Sequence, residues 1–107
     1  MKNIDIDKVQ DVVNHWDNRL PMMIMEEAGA LIQAISTFDR ASTYYEALGE
    51  DEYAEMRKAQ KKSEIAEQNL IDEIGAMYVS LLAIRLYYDL DLSKIEERID
   101  ENLNKEY

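Results

Sequence analysis

Apolar positions recur along this chain in steps of three and four, the spacing of helices that each bury one face. Ile6, Val9, Val13 and Trp16 mark one face of a first helix, and Asp5 is placed to cap its N-terminus. Asp17 and Asn18 suit a turn, and Pro21 suits the first turn of the helix that follows. That second helix is predicted from about Leu20 to Phe38. Met22, Met23, Ile24, Met25, Leu31, Ile32 and Ile35 make it apolar on more than one side, which predicts central burial or a subunit interface. Over residues 39–50, Thr43 and Glu46 match a capping box and Gly49 suits the position after a helix end, so a short helix or an extension of the second is expected. Asp51 to Asn69 is rich in Glu, Lys and Gln, with only Tyr53, Met56 and Ile65 as larger apolar residues. It reads as a solvated helical arm, continuous with the next element if unbroken. Leu70 to Tyr88 forms a second central helix, with Leu70, Ile74, Met77, Leu81 and Ile84 on one stripe. Ser93 and Glu96 form a capping box for a last helix striped by Leu92, Ile95, Ile99 and Leu103. The expected fold is all-α, a bundle of four or five helices in a single domain over residues 1–107.

Composition strengthens that picture. The 107 residues suit one domain with a modest core, 47% are hydrophobic, and three Gly and one Pro leave little material for the turns of a sheet. Such a short helical domain has few side chains with which to cover its Met-rich second helix, so a dimer or tetramer packed through its central helices is expected. The absence of cysteine excludes a disulfide framework and cysteine-based metal or redox chemistry. No apolar run is long enough to span a bilayer, and the polar, acidic start from Met1 to Asp11 does not read as a signal peptide, so a cytoplasmic location is expected. A net charge of −11 argues against nucleic acid or an anionic membrane as partner. It leaves room for a small phosphate ligand bridged to carboxylates by a divalent cation.

Two segments raise that possibility. MEEAGALIQAI (Met25 to Ile35) and IDEIGAMYVSLLAI (Ile71 to Ile84) each set a glutamate, Glu27 or Glu73, shortly before a Gly-Ala pair. Positions i and i+3 share a helix face. Were Ala30 and Ala76 acidic, the segments would read E-x-x-E and E-x-x-D, and antiparallel packing would converge four carboxylates. Such a cluster needs a cation, and Mg²⁺ would make it an oxygen site able to accept phosphate oxygens. A plainer account is that Gly29-Ala30 and Gly75-Ala76 let two helices cross closely.

The order of these features resembles a known family. A helix bearing Trp16, then Glu26, Glu27 and Leu31 in EExxx-L, a polar spacer, NLIDEIGAMYVSLL and an amphipathic last helix are similar to the MazG-like all-α nucleoside triphosphate pyrophosphohydrolases. The likeness is to the short single-domain forms common in phages and prophages, and it covers roughly Trp16 to the C-terminus. The resemblance implies hydrolysis of an NTP or dNTP to the monophosphate and pyrophosphate, by attack of water on the α-phosphate with Mg²⁺ held by EExxE and ExxD acids. Carried onto this chain, Glu27 and Glu73 match the first acid of each pair, Glu26 the doubled glutamate, and Asp72 an acid preceding the second motif. Ala30 and Ala76 stand where the other two acids belong. Neither can ligate metal or orient water, so little or no turnover and weak or absent Mg²⁺ binding are expected. The two alanines fit either a deliberately disabled site or a naturally degenerate one.

Other residues are candidates for the substrate. The resemblance implies cationic and polar groups near the end of the last helix, where Asn102 and Lys105 fall. Arg85 is a further candidate for phosphate, with Lys58, Lys61, Lys62 and Lys94 behind it. Trp16 is a candidate for stacking on a base, although a core role is the commoner use of such a residue. His15 has no partner spacing that suggests chemistry. The competing functions are a non-catalytic nucleotide-binding or protein-interaction module on the same fold, and a plain oligomeric bundle in which Glu27 and Glu73 form interhelical ion pairs.

Overall fold

A computed structural model describes residues 4–49 and 51–105, and every regular element among them is helical. Helix α1 spans Ile6–Trp16. The Asp5 carboxylate accepts hydrogen bonds from the Asp7 and Lys8 amides at 3.0 and 3.4 Å, satisfying two of the amides a helix start leaves open. A single 3-10 turn, Asp17–Arg19, redirects the chain, with Asp17 at φ 49°. Helix α2 then runs unbroken over Leu20–Ala47, with Pro21 in its first turn, where a missing N–H costs nothing.

Of the two expectations for residues 39–50, the extension is what forms. Thr43 and Glu46 lie inside α2 and cap nothing, because the helix has no break for them to start from. The Ser42 hydroxyl donates to the Phe38 carbonyl at 2.8 Å, which satisfies it without interrupting the helix. Gly49 follows the helix end but has no positive φ. Its amide donates to Glu52 Oε2 at 3.0 Å and closes the turn into helix α3, Tyr53–Tyr87. The polar arm and the second central helix are thus one rod of 35 residues. At about 1.5 Å per residue it is about 52 Å long, close to the 57 Å longest dimension of the molecule.

Helix α3 ends on Asp89 at φ 50°. The Asp89 and Leu90 amides donate back to the Leu86 and Arg85 carbonyls at 3.2 and 3.0 Å, a Schellman closure. Helix α4 spans Leu92–Leu103. Its N-cap is Asp91 rather than Ser93, since the Asp91 carboxylate accepts from both the Ser93 amide and the Ser93 hydroxyl, at 2.9 and 2.7 Å.

Helices α2 and α3 form an antiparallel hairpin. The Ser80 hydroxyl approaches Met23 Sδ at 4.0 Å, Ala30 and Ala34 share a cavity with Asn69 and Glu73, and Ala41 shares one with Ala59 and Lys62. Each step along α2 is therefore matched by a step back along α3. The seam so defined repeats in threes and fours, through Met23, Glu27, Ala30, Ala34, Thr37 and Ala41 on one helix. On the other it runs through Ala59, Lys62, Ala66, Asn69, Glu73, Ala76, Ser80 and Ala83. Apart from Met23 its residues are small or polar. The main buried cluster lies at the end of the hairpin where α1 lies against α3, with Val9, Val13, Leu20 and Ala83 flanked by Trp16, Met23, Ile24, Leu82 and Leu86, while Ala59, Ala66 and Ser80 are buried along the seam.

This departs from the expected bundle. Three helices pack together, and α4 packs extensively on none of them, leaving Leu92, Ile99 and Leu103 exposed. The second helix is not central: of its residues only Leu20 is fully buried, while Met25 and Ile32 are 71% and 68% exposed. The radius of gyration is 18.5 Å, against about 13 Å for a compact domain of this length. The reason lies in the seam. Alanine, threonine and asparagine meet along the middle of the seam, so several larger side chains of α2 and α3, Met25, Ile32, Ile71 and Tyr78 among them, point outward.

Candidate functional site

Midway along the hairpin, the seam opens into a cavity of about 330 Å³ lined by Ala30, Gln33, Ala34, Thr37, Ala66, Asn69, Asp72 and Glu73. Four of these side chains are small and apolar or bear one methyl, so neither helix fills the space between them. The others bring two carboxylates and two amides. Glu73 is half-buried, and its Oε2 is sealed from solvent with no hydrogen-bond partner among the described residues. An unmet buried carboxylate oxygen is costly, which singles this atom out among the groups that line the cavity.

The seam also places the motif positions relative to one another. Ala30 lines the cavity with Glu73. One turn on from Met23 and one turn back from Ser80, the same register sets Glu27 level with Ala76. Each remaining glutamate thus faces an alanine. Glu27 is half-buried but does not line the cavity, and Glu26 is exposed on the flank of α2. Asp72 lines the cavity from its exposed edge, because consecutive helix residues point about 100° apart. Among the described residues no three or more acidic or histidine side chains converge as a metal would need. Ala30 and Ala76 carry no side-chain oxygen, so Glu73 and Glu27 are the motif carboxylates at these two levels.

The close-crossing account of the Gly-Ala pairs holds for the alanines, not the glycines. A Cβ added at Gly29 or Gly75 would meet nothing within 4 Å, so both glycines face outward. The ion-pair account finds no support either. Neither Glu27 nor Glu73 is in a salt bridge, and the one found among the described residues joins Arg98 to Glu101 within α4.

Trp16, Arg85, Asn102 and Lys105 lie away from the cavity, whereas Lys62 lines a hollow that adjoins it at Thr37. Trp16 is half-buried at the edge of the α1 core, its ring edge-on to His15 and beneath the Arg19 guanidinium, each at 5.3 Å. Arg85 is half-buried near the end of α3 with its Nε sealed and without a partner among the described residues. Its charge helps hold the Asp91 carboxyl below the ordinary value, after the larger effects of the Ser93 hydroxyl and amide. Asn102 lines a shallow apolar hollow along α4, and Lys105 is exposed beyond that helix. The structure instead adds Gln33, Thr37 and Asn69 to the cavity. The signal for them was the three-four repeat of small and polar residues, a quieter pattern than the isoleucines and methionines beside it.

No protein-family model, curated protein or solved structure matches the chain. No helix among the described residues is long and apolar enough to cross a membrane.

Proposed function

We propose that this chain is a MazG-like nucleoside triphosphate pyrophosphohydrolase scaffold whose hydrolytic centre is disabled by Ala30 and Ala76. The observation that carries the reading is the seam, in which each surviving motif glutamate stands level with the alanine of the other motif. Restoring the acids as Ala30→Glu and Ala76→Asp would put four carboxylates at two successive levels of one antiparallel hairpin. That is the arrangement in which Mg²⁺ would bridge protein oxygens to a triphosphate. In the chain as it stands, Glu73 with Asp72, and Glu27 with Glu26, are half of such a set. The proposed ligand is an NTP or dNTP in the cytoplasm.

The test is pyrophosphate release from a panel of NTPs and dNTPs with Mg²⁺, comparing the chain with the Ala30→Glu, Ala76→Asp variant. Activity in the variant alone is the expected result. The variant should also melt lower than the parent without Mg²⁺ and recover with it, since opposed half-buried carboxylates repel until a cation joins them. A folded variant that neither turns over nor responds to Mg²⁺ overturns the enzyme reading. A non-catalytic nucleotide-binding or interaction module on the same hairpin would then be the better account, favoured by the unfilled polar cavity itself.

The same proposal includes a homodimer or homotetramer. Met25, Ile32 and Ile35 on α2, and Ile71, Ile74, Tyr78 and Leu81 on α3, all exposed, lie opposite the seam and offer the large side chains that the hairpin does not bury internally.

A further inference from the structure

The central cavity does not end at Thr37. That residue also lines a second cavity of about 280 Å³, formed with Arg40, Ala41, Tyr44, Ala59 and Lys62, so the two make one groove along the hairpin. The groove is polarised: carboxylates stand at the Asp72–Glu73 end, amides and a hydroxyl in the middle, and a guanidinium with an ammonium at the far end. Arg40 and Lys62 come from opposite helices and flank a floor of two alanines. Neither is in an ion pair among the described residues, in a chain that carries 23 acidic residues against 12 basic ones. Two unpaired cations facing one hollow are a site for an anion, and Arg with Lys beside hydroxyl donors suits phosphate oxygens.

Helix geometry sets the spacing of these two cations. A helical side chain tilts toward its own N-terminus. On antiparallel helices, Arg40 therefore leans back toward Thr37 and Lys62 toward Ala59, so the two cations are spread along the hollow and suit an anion of several phosphate groups better than a single phosphate. Ala30 and Arg40 are about 15 Å apart along α2 at about 1.5 Å per residue. That span exceeds the length of a triphosphate chain, so phosphates held at Arg40 and Lys62 stand clear of the Asp72 and Glu73 carboxylates. We infer that the Arg40–Lys62 hollow holds the terminal phosphates of a triphosphate. The inference rests on the nucleotide reading above, and it moves phosphate recognition from Arg85 and Lys105 to residues within the hairpin.

The experiment is calorimetric titration of the chain and an Arg40→Gln, Lys62→Gln variant with dNTPs, the matching dNMPs and inorganic tripolyphosphate. Both side chains are exposed, so the variant should fold with unchanged helical circular dichroism. Loss of two charge-assisted contacts should weaken dNTPs and tripolyphosphate by about tenfold or more, and leave dNMPs within about twofold. Equal dNTP affinity in the two proteins overturns the inference while leaving the nucleotide reading standing. Equal losses for dNTP and dNMP also overturn it, because the hollow would then grip the nucleoside. Tripolyphosphate binding that the variant loses, with no dNTP bound by either protein, keeps the anion site and removes the nucleotide reading. No binding of any probe removes both.

Discussion

Gly29 and Gly75 stand beside the two alanines of the motif, yet they do different work. Ala30 occupies the seam, where a larger side chain would enter the cavity, whereas each glycine faces outward with open space where a Cβ would stand. Both have ordinary helical φ, so nothing in the backbone of the single chain requires glycine. Replacing either by alanine should therefore raise stability by about 1 kcal/mol, through the entropy that glycine retains in the unfolded chain. Urea denaturation of Gly29→Ala and Gly75→Ala would measure it. A loss of stability would instead show that another subunit's backbone approaches these positions, the remaining reason to keep a helix surface free of Cβ atoms. Asp89 adopts a positive φ at the close of α3, where the same reasoning runs the other way: the position suits glycine and carries an aspartate, whose side chain tolerates it better than most.

At the scale of elements, α4 depends on its own ends more than on packing. It docks extensively on no other helix, so the Asp91 cap and the Arg98–Glu101 pair are its local supports. The Ser93 hydroxyl, then the Ser93 amide, hold the Asp91 carboxyl below its ordinary value near 3.8. A carboxylate whose folded pKa is depressed stabilises the fold above its unfolded pKa, and that contribution is lost as pH falls through the lowered folded value. Helicity of α4 should accordingly fall away only in strongly acidic solution. Ser93→Ala should move the Asp91 midpoint upward and bring the loss to higher pH. Carboxyl chemical shifts recorded across a pH titration would follow it, and an unchanged midpoint would mean the hydroxyl is not a donor in solution. Helix α1 was legible in the sequence for a simple reason: its apolar residues and its cap belong to one amphipathic segment and act within it. The join of the polar arm to α3 was legible as an alternative, since nothing between Tyr53 and Tyr87 breaks a helix. The faces of α2 and α3 were not. Of the apolar stripe on α3, Leu70, Met77 and Ile84 are half-buried but Ile74 and Leu81 are exposed, while Ala66, Glu73, Ser80 and Ala83 carry the seam. A pattern of large apolar residues identifies what must be covered, but not whether its own chain covers it. Ala30 was legible as a motif position, whereas Gln33, Thr37 and Asn69 became visible only once the register joined Ala30 to Glu73.

The whole molecule poses a balance between apolar surface and charge. Burying one large apolar side chain fully contributes about 1.5–3 kcal/mol, and association costs on the order of 4–15 kcal/mol in lost freedom, so one or two exposed residues would not hold copies together. Met25, Ile32 and Ile35 on α2, with Ile71, Ile74, Tyr78 and Leu81 on α3, are enough when each copy contributes its own set. Opposing them, every copy carries −11, and bringing like-charged rods together concentrates that field. Salt screens the repulsion over about 8–10 Å at moderate ionic strength while leaving the apolar term in place. Self-association should therefore tighten as salt rises, the reverse of an interface held by ion pairs. Sedimentation equilibrium across a range of sodium chloride would read this directly. Ile32→Asp, at a position 68% exposed in the single chain, should shift the population to monomer without loss of helical signal, because its side chain packs in no core of its own chain. Dissociation on adding salt would place the contact among charged residues instead, and a monomer at every salt concentration would leave the outer faces of the hairpin free for a different partner.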